Sequence, residues 1–224
     1  IASAVENTAL CASRELGLLP LLVEVIREDE GKARINALYA VSAFATPHTR
    51  LLFSSVESPF VSALESTLNE NCGDSCDQLY SVLSTLFNYT VNYGVACVPE
   101  LIKSSIPAMV LDRLKAAGPI VADWKQKENF SYMLNFAMNF ARYTEAVDTM
   151  IALGYLGVMF PILDILDNGC ERLKAMYIVT FLTGKDEQGQ QKSSVAAERP
   201  DIIPHLVEVL KNTLDGVGGA DHPL

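Results

Sequence analysis

Histidine is scarce in this 224-residue sequence, and His48, His205 and His222 lie far apart. By the pattern below they fall in an inter-helix loop, at a helix start and in the tail. None sits beside a Cys or Ser nucleophile, so no imidazole-driven catalytic constellation is visible. Tryptophan occurs once, at Trp124. Charged residues are only 20%, and the balance is acidic, with 17 Lys and Arg against 27 Asp and Glu and a net charge of −10. The basic footprint of a nucleic-acid binder is missing, and neutral or basic partners suit this charge better. No run of 18 apolar residues free of charge occurs, so no membrane span is expected. Strand signatures are nearly absent, with no sustained alternation of apolar and polar residues.

Cysteine is sparse and odd in number: Cys11, Cys72, Cys76, Cys97 and Cys170. Five thiols in a chain of this size are not a disulfide framework, and a reducing, cytoplasmic setting is the expectation. Cys72 and Cys76 form C-x3-C in an acidic loop. A metal site there lacks a second ligand pair, which leaves a reversible redox pair or an ordinary loop. Gly184-Lys185-Asp186-Glu187 and Gly216-Val217-Gly218-Gly219 lack the strand–turn–helix setting of a phosphate or dinucleotide site. No cofactor and no catalytic step are expected.

What the sequence has in abundance is apolar residues, at 50%, enough for a sizeable core. They recur at i, i+3, i+4 and i+7 between breaks punctuated by Gly and Pro. One layout occurs twice. Leu16-Gly17-Leu18-Leu19-Pro20-Leu21-Leu22-Val23 leads through a charged break to Ile35-Asn36-Ala37-Leu38-Tyr39-Ala40. Leu153-Gly154-Tyr155-Leu156 leads through another to Leu173-Lys174-Ala175-Met176-Tyr177-Ile178. Gly17 precedes Ala43 by 26 residues, as Gly154 precedes Thr180. Such self-similarity marks a helical repeat array.

Central helices are expected to start near Gly17, Ser58, Ser104, Gly154 and Asp201. The resulting intervals, about 41 to 50 residues, are close to those of armadillo or HEAT repeats. In unit one the expected helices are Asn7–Leu16, Pro20–Glu28 and Ala33–Ala45. Pro20 suits a first helical turn, where its missing N–H costs nothing. The expected architecture is an all-α, right-handed α-solenoid of about five three-helix repeats spanning 1–214. Its units lie near 4–50, 51–92, 93–143, 144–184 and 193–214, followed by a flexible tail at 215–224. Extra residues at 71–76, 116–121 and 185–194 lengthen the intervals. The array starts and stops in mid-pattern, which reads as part of a longer protein.

These residues resemble the armadillo-repeat family, whose pattern is a short helix, then Gly-x-(Ile/Leu)-Pro-x-Leu-Val-x-Leu-Leu, then a third helix ending near Ala-Leu-x-Asn-Leu-Ala. Here the endings are Ala40–Ala45, Leu86–Thr90, Phe136–Ala141 and Ile178–Leu182. The resemblance implies a protein-binding scaffold, adaptor or assembly subunit. Its third helices line a concave groove that takes an extended peptide or a folded domain. The family's Asn place holds Ala43, Asn88, Asn139 and Thr180, and its Trp place holds Tyr39, Ser84, Asn135 and Met176. With two Asn kept and no Trp, the peptide clamp of nuclear-import receptors is not implied. The expected contact residues are Asn36, Tyr39, Asn88, Tyr132, Asn135, Asn139, Met176 and Thr180. An Asn amide can pair with both groups of a partner's backbone, and Tyr offers contact area at low entropic cost. In addition, Asp29–Ser42 is similar to a stretch of the armadillo-type nucleotide-exchange factors for heat-shock chaperones. That likeness implies, as an alternative, a co-chaperone acting on a chaperone ATPase domain.

Overall fold

The computed structural model describes residues 17–45, 56–70, 76–117, 124–165 and 169–184. Ten α-helices and one 3-10 turn account for nearly all of them, with no strand among the described residues. In chain order they are α1 (Leu18–Glu28), α2 (Gly31–Phe44), α3 (Glu57–Asn69), α4 (Cys76–Tyr93), α5 (Val98–Lys103), α6 (Ile106–Ala117), α7 (Trp124–Ala141), α8 (Thr144–Leu153), α9 (Tyr155–Ile165) and α10 (Gly169–Thr183).

The periodicity explains the packing. In α1, Leu19, Val23 and Ile26 are buried at i, i+4 and i+7, with Pro20 exposed in the first turn. The two repeat glycines share one backbone state: Gly17 enters α1 at φ 60° and Gly154 joins α8 to α9 at φ 92°. Left-handed backbone is cheap for glycine, so this residue type recurs where the chain turns into the central helix. Gly94 is the tighter case. It has φ 53°, and a Cβ there would lie 2.8 Å from the Tyr143 hydroxyl.

Two ladders result. The long helices stack in the order α2, α4, α7, α10, and the central helices in the order α1, α3, α6, α9. The shorter α5 packs on α3, α6 and α8, and α8 packs on α6, α7, α9 and α10. Between the ladders runs one continuous apolar core that includes Leu38, Phe60, Leu86, Phe136, Phe140, Met159 and Leu182. Each fully buried aliphatic or Phe side chain contributes about 1.5–3 kcal/mol over its exposed state. Phe60, Tyr89 and Tyr93 run through the core edge to face, with centroids 5.2 and 5.3 Å apart.

Polar ties fix the register between successive helices. In the long-helix ladder Thr85 Oγ1 donates to the Leu38 carbonyl at 3.2 Å, and Asn92 Nδ2 to the Ala45 carbonyl at 2.5 Å. In the central-helix ladder the Ser105 amide donates to Glu65 Oε1 at 2.7 Å, and the Tyr155 hydroxyl to the Pro107 carbonyl at 2.7 Å. The end of α3 is held from two sides. Buried Arg34 pairs with Glu70, and Arg113 donates to the Leu68 carbonyl. Orphan carbonyls at a helix C-terminus are thus satisfied by a cation, as the helix dipole favours.

The observed central helices begin at Leu18, Glu57, Ile106 and Tyr155, each within two residues of its expected start. The expected helix Asn7–Leu16, the unit from Asp201, the C-x3-C residue Cys72, all three histidines and the tail lie outside the described residues.

Candidate functional site

At 3.6 residues per turn, each long helix divides into a buried stripe and an opposite, open one. On α2 the buried stripe is Arg34, Ala37, Leu38 and Val41, and the open one Lys32, Asn36, Tyr39 and Ala43. On α10 Ala175, Ile178, Val179 and Leu182 are buried, while Leu173, Tyr177 and Thr180 are exposed. The same division gives Asp77 and Val91 on α4, and Glu128 and Asn135 on α7. Because the four helices stack side by side, these stripes form one continuous face.

The expected contact residues occupy this face unequally. Asn36 and Tyr39 are exposed, Tyr39 at 45%. Asn135 is half-buried, and neither Asn36 nor Asn135 has a side-chain partner among the described residues. Asn88 is half-buried, with its Nδ2 donating to Ser42 Oγ across to α2. Asn139 is buried, only 6% exposed, and its Nδ2 has no partner. Thr180 is exposed but its hydroxyl donates to the Met176 carbonyl at 2.8 Å. Met176 is half-buried on the flank of α10, one position off the open stripe.

Tyr132 belongs to an aromatic group bridging α4 and α7. Its ring meets Tyr80 edge to face at 5.3 Å and Phe87 at 5.8 Å. The two tyrosine hydroxyls lie 3.5 Å apart, at the outer limit of a hydrogen bond. The Tyr132 hydroxyl, followed by burial and the charge of Glu128, pushes the Tyr80 hydroxyl up to about 12. The Tyr80 phenol is therefore neutral at physiological pH and acts as a donor and as apolar surface. Further along, Lys174 on α10 donates to Ser131 Oγ on α7 at 2.5 Å.

Sequence reasoning passed over Val91, Leu173 and Tyr177, three large apolar side chains on this face. The signal was available for α10. Leu173 and Tyr177 are one turn apart and opposite the Ala175, Ile178, Val179 and Leu182 core stripe, whereas Met176 sits on its flank. What the face presents is aromatic and aliphatic area interspersed with amides. No group of three or more His, Cys, Asp or Glu suited to a metal occurs among the described residues.

No protein-family model and no curated protein matches this chain. Solved structures do. A designed armadillo repeat protein in complex with the peptide (KR)4 superimposes with a TM-score of 0.63 at 15% identity, over 89% of this chain and 83% of that one. A second, designed armadillo repeat protein YIII(Dq)4CqI, gives 0.64 at 15% identity over 98% and 86%. The fold is thus an armadillo-like, all-α repeat solenoid. The open face described above is its long-helix face.

Proposed function

We propose that this protein is a non-catalytic protein-interaction scaffold or adaptor that takes a partner on the face formed by α2, α4, α7 and α10. One observation carries the reading. Of the six large apolar side chains exposed among the described residues, four stand on these long helices: Tyr39, Val91, Leu173 and Tyr177. A fifth, Val95, lies in the turn just after α4. Single exposed apolar residues are ordinary, but their concentration on one face of a solenoid marks an interaction surface. Tyrosines with exposed rings are frequent anchors in such surfaces. The solved relative that carries a peptide supports the class of ligand, since its fold is shared.

Affinity capture with the wild-type chain and with a Tyr39→Ala, Tyr177→Ala variant tests the reading. Loss of the captured partners in the variant is expected. Equal recovery by both removes the face from consideration.

A co-chaperone role is the second reading. The stretch resembling nucleotide-exchange factors, Asp29–Ser42, falls largely on α2 and leaves Lys32, Asn36 and Tyr39 open. Faster nucleotide release from a heat-shock ATPase domain in the presence of this protein would support it, and unchanged release at excess protein would remove it.

A further inference from the structure

The binding face differs in charge from the chain that carries it. The whole protein has a net charge of −10, yet this face carries Lys32, Arg142 and Lys174 against Asp77 and Glu128. Lys32, Asp77 and Glu128 stand at or near the N-terminal ends of their helices, and Arg142 just past the end of α7. Between these ends the open stripes carry no carboxylate among the described residues. The charged group nearest the middle is the Lys174 ammonium, held across α7 and α10 by Ser131 rather than by an acid.

We infer that the segment seated on this face is an extended, uncharged peptide rich in aliphatic or aromatic side chains, and not a Lys/Arg-rich one. The inference rests on the proposed use of this face, and it specifies the partner's chemistry.

Two physical terms separate the alternatives. Apolar side chains laid on Tyr39, Val91, Leu173 and Tyr177 remove apolar area from water on both partners, at roughly 25 cal/mol per Å². A guanidinium or ammonium laid along the middle of the face is desolvated, with carboxylates only toward the helix starts at Asp77 and Glu128, and a poorly paired charge taken from water is costly. Lys174 adds like-charge repulsion. Stacking of a cation on Tyr39 or Tyr177 returns only about 0.5–1 kcal/mol at an exposed ring. The amides of Asn36 and Asn135 are left to pair with the peptide backbone, whose groups are the same in every sequence. Alternate side chains of an extended segment point to one side, so every second residue should be apolar. The overall negative charge speeds the approach of cationic chains but supplies only Asp77 and Glu128, near the helix starts, to hold them on this face.

Selection from a displayed library of random octapeptides, with (KR)4 as an individually measured probe, tests the inference. The expected winners are near-neutral, carry alternating apolar residues, and lose affinity roughly tenfold or more on a Tyr39→Ala, Tyr177→Ala variant. Their affinity should change little with salt. A Leu173→Ser, Val91→Ser variant gives the same readout through different exposed positions, and circular dichroism confirms that both variants stay folded. Asn36→Asp with Asn135→Asp should turn the selection toward Lys and Arg. If wild type instead selects Lys/Arg-rich peptides that depend on the same side chains, the inference fails while the use of the face stands. If no peptide is enriched, or the enriched ones are indifferent to the substitutions, the use of the face fails and the inference with it.

Discussion

The Asn88 amide and the Ser42 hydroxyl meet across two stacked helices, with Nδ2 donating to Oγ over 2.6 Å. By the sequence resemblance, Asn88 aligns with the Asn place of the armadillo-repeat pattern. Here its donor is turned to the neighbouring helix 46 residues earlier. The residue therefore sets helix register at least as much as it offers a contact.

Replacing Asn88 by Ala is expected to lower stability by about 1 kcal/mol, the usual net contribution of one hydrogen bond. Combined with Ser42→Ala in a double-mutant cycle, it should show a coupling of about 0.5–1.5 kcal/mol by urea unfolding. Strict additivity would mean that the pair does not form in solution.

The hydroxyl of Tyr155 ties α9 to α6 through the Pro107 carbonyl, and its side chain is fully buried. Tyr155→Phe keeps the ring packing and removes only that bond. A loss of about 1 kcal/mol is expected, read as a lower urea midpoint with an unchanged slope. A changed slope would indicate loosening of the native state instead.

Alkaline pH should weaken the fold. Burial raises the Tyr155 hydroxyl well above the ordinary tyrosine value, and burial together with the hydrogen bond to Glu57 does the same for Tyr89. In the unfolded chain both ionise near about 10. Above that pH the folded protein holds more protons than the unfolded one, so stability falls as pH rises; below it these groups leave stability flat. Urea midpoints measured at about pH 7, 8.5 and 11.5 should be equal in the first interval and decline in the second. Tyr155→Phe should make the decline shallower.

Asn139 is buried with an unpartnered Nδ2. An unpaired polar group of this kind costs about 1–3 kcal/mol. Asn139→Leu, close in volume, should leave the melting temperature unchanged or raise it, and should not weaken peptide binding as Tyr177→Ala does. A clear loss of stability would show that the amide is paired, for instance through an ordered water.

Much of the fold was legible in the sequence because its signals are local. Gly17 and Gly154 stand at matching places in two similar stretches, and both adopt the left-handed backbone that favours glycine. The apolar period of Leu19, Val23 and Ile26, or of Ala175, Ile178, Val179 and Leu182, already states which side of each helix goes inward. The site was less legible. Tyr39 could be placed by its helix alone, but the fates of Asn88 and Asn139 depend on residues in the preceding helix and on how closely the helices stack. Met176 was favoured over Tyr177 by alignment to a family place; a shift of one residue turns a side chain by about 100° around a helix.

The sequence by itself determined that this is a helical repeat protein, because 3.6-residue periodicity and glycine breaks act within one segment at a time. Tertiary structure alone decided which polar side chains are spent between neighbouring helices, as with Asn88 on Ser42 and Lys174 on Ser131. It likewise decided which apolar ones remain open, as with Val91 and Tyr177. Those outcomes depend on contacts between residues more than forty positions apart, whose geometry exists only once the helices have stacked.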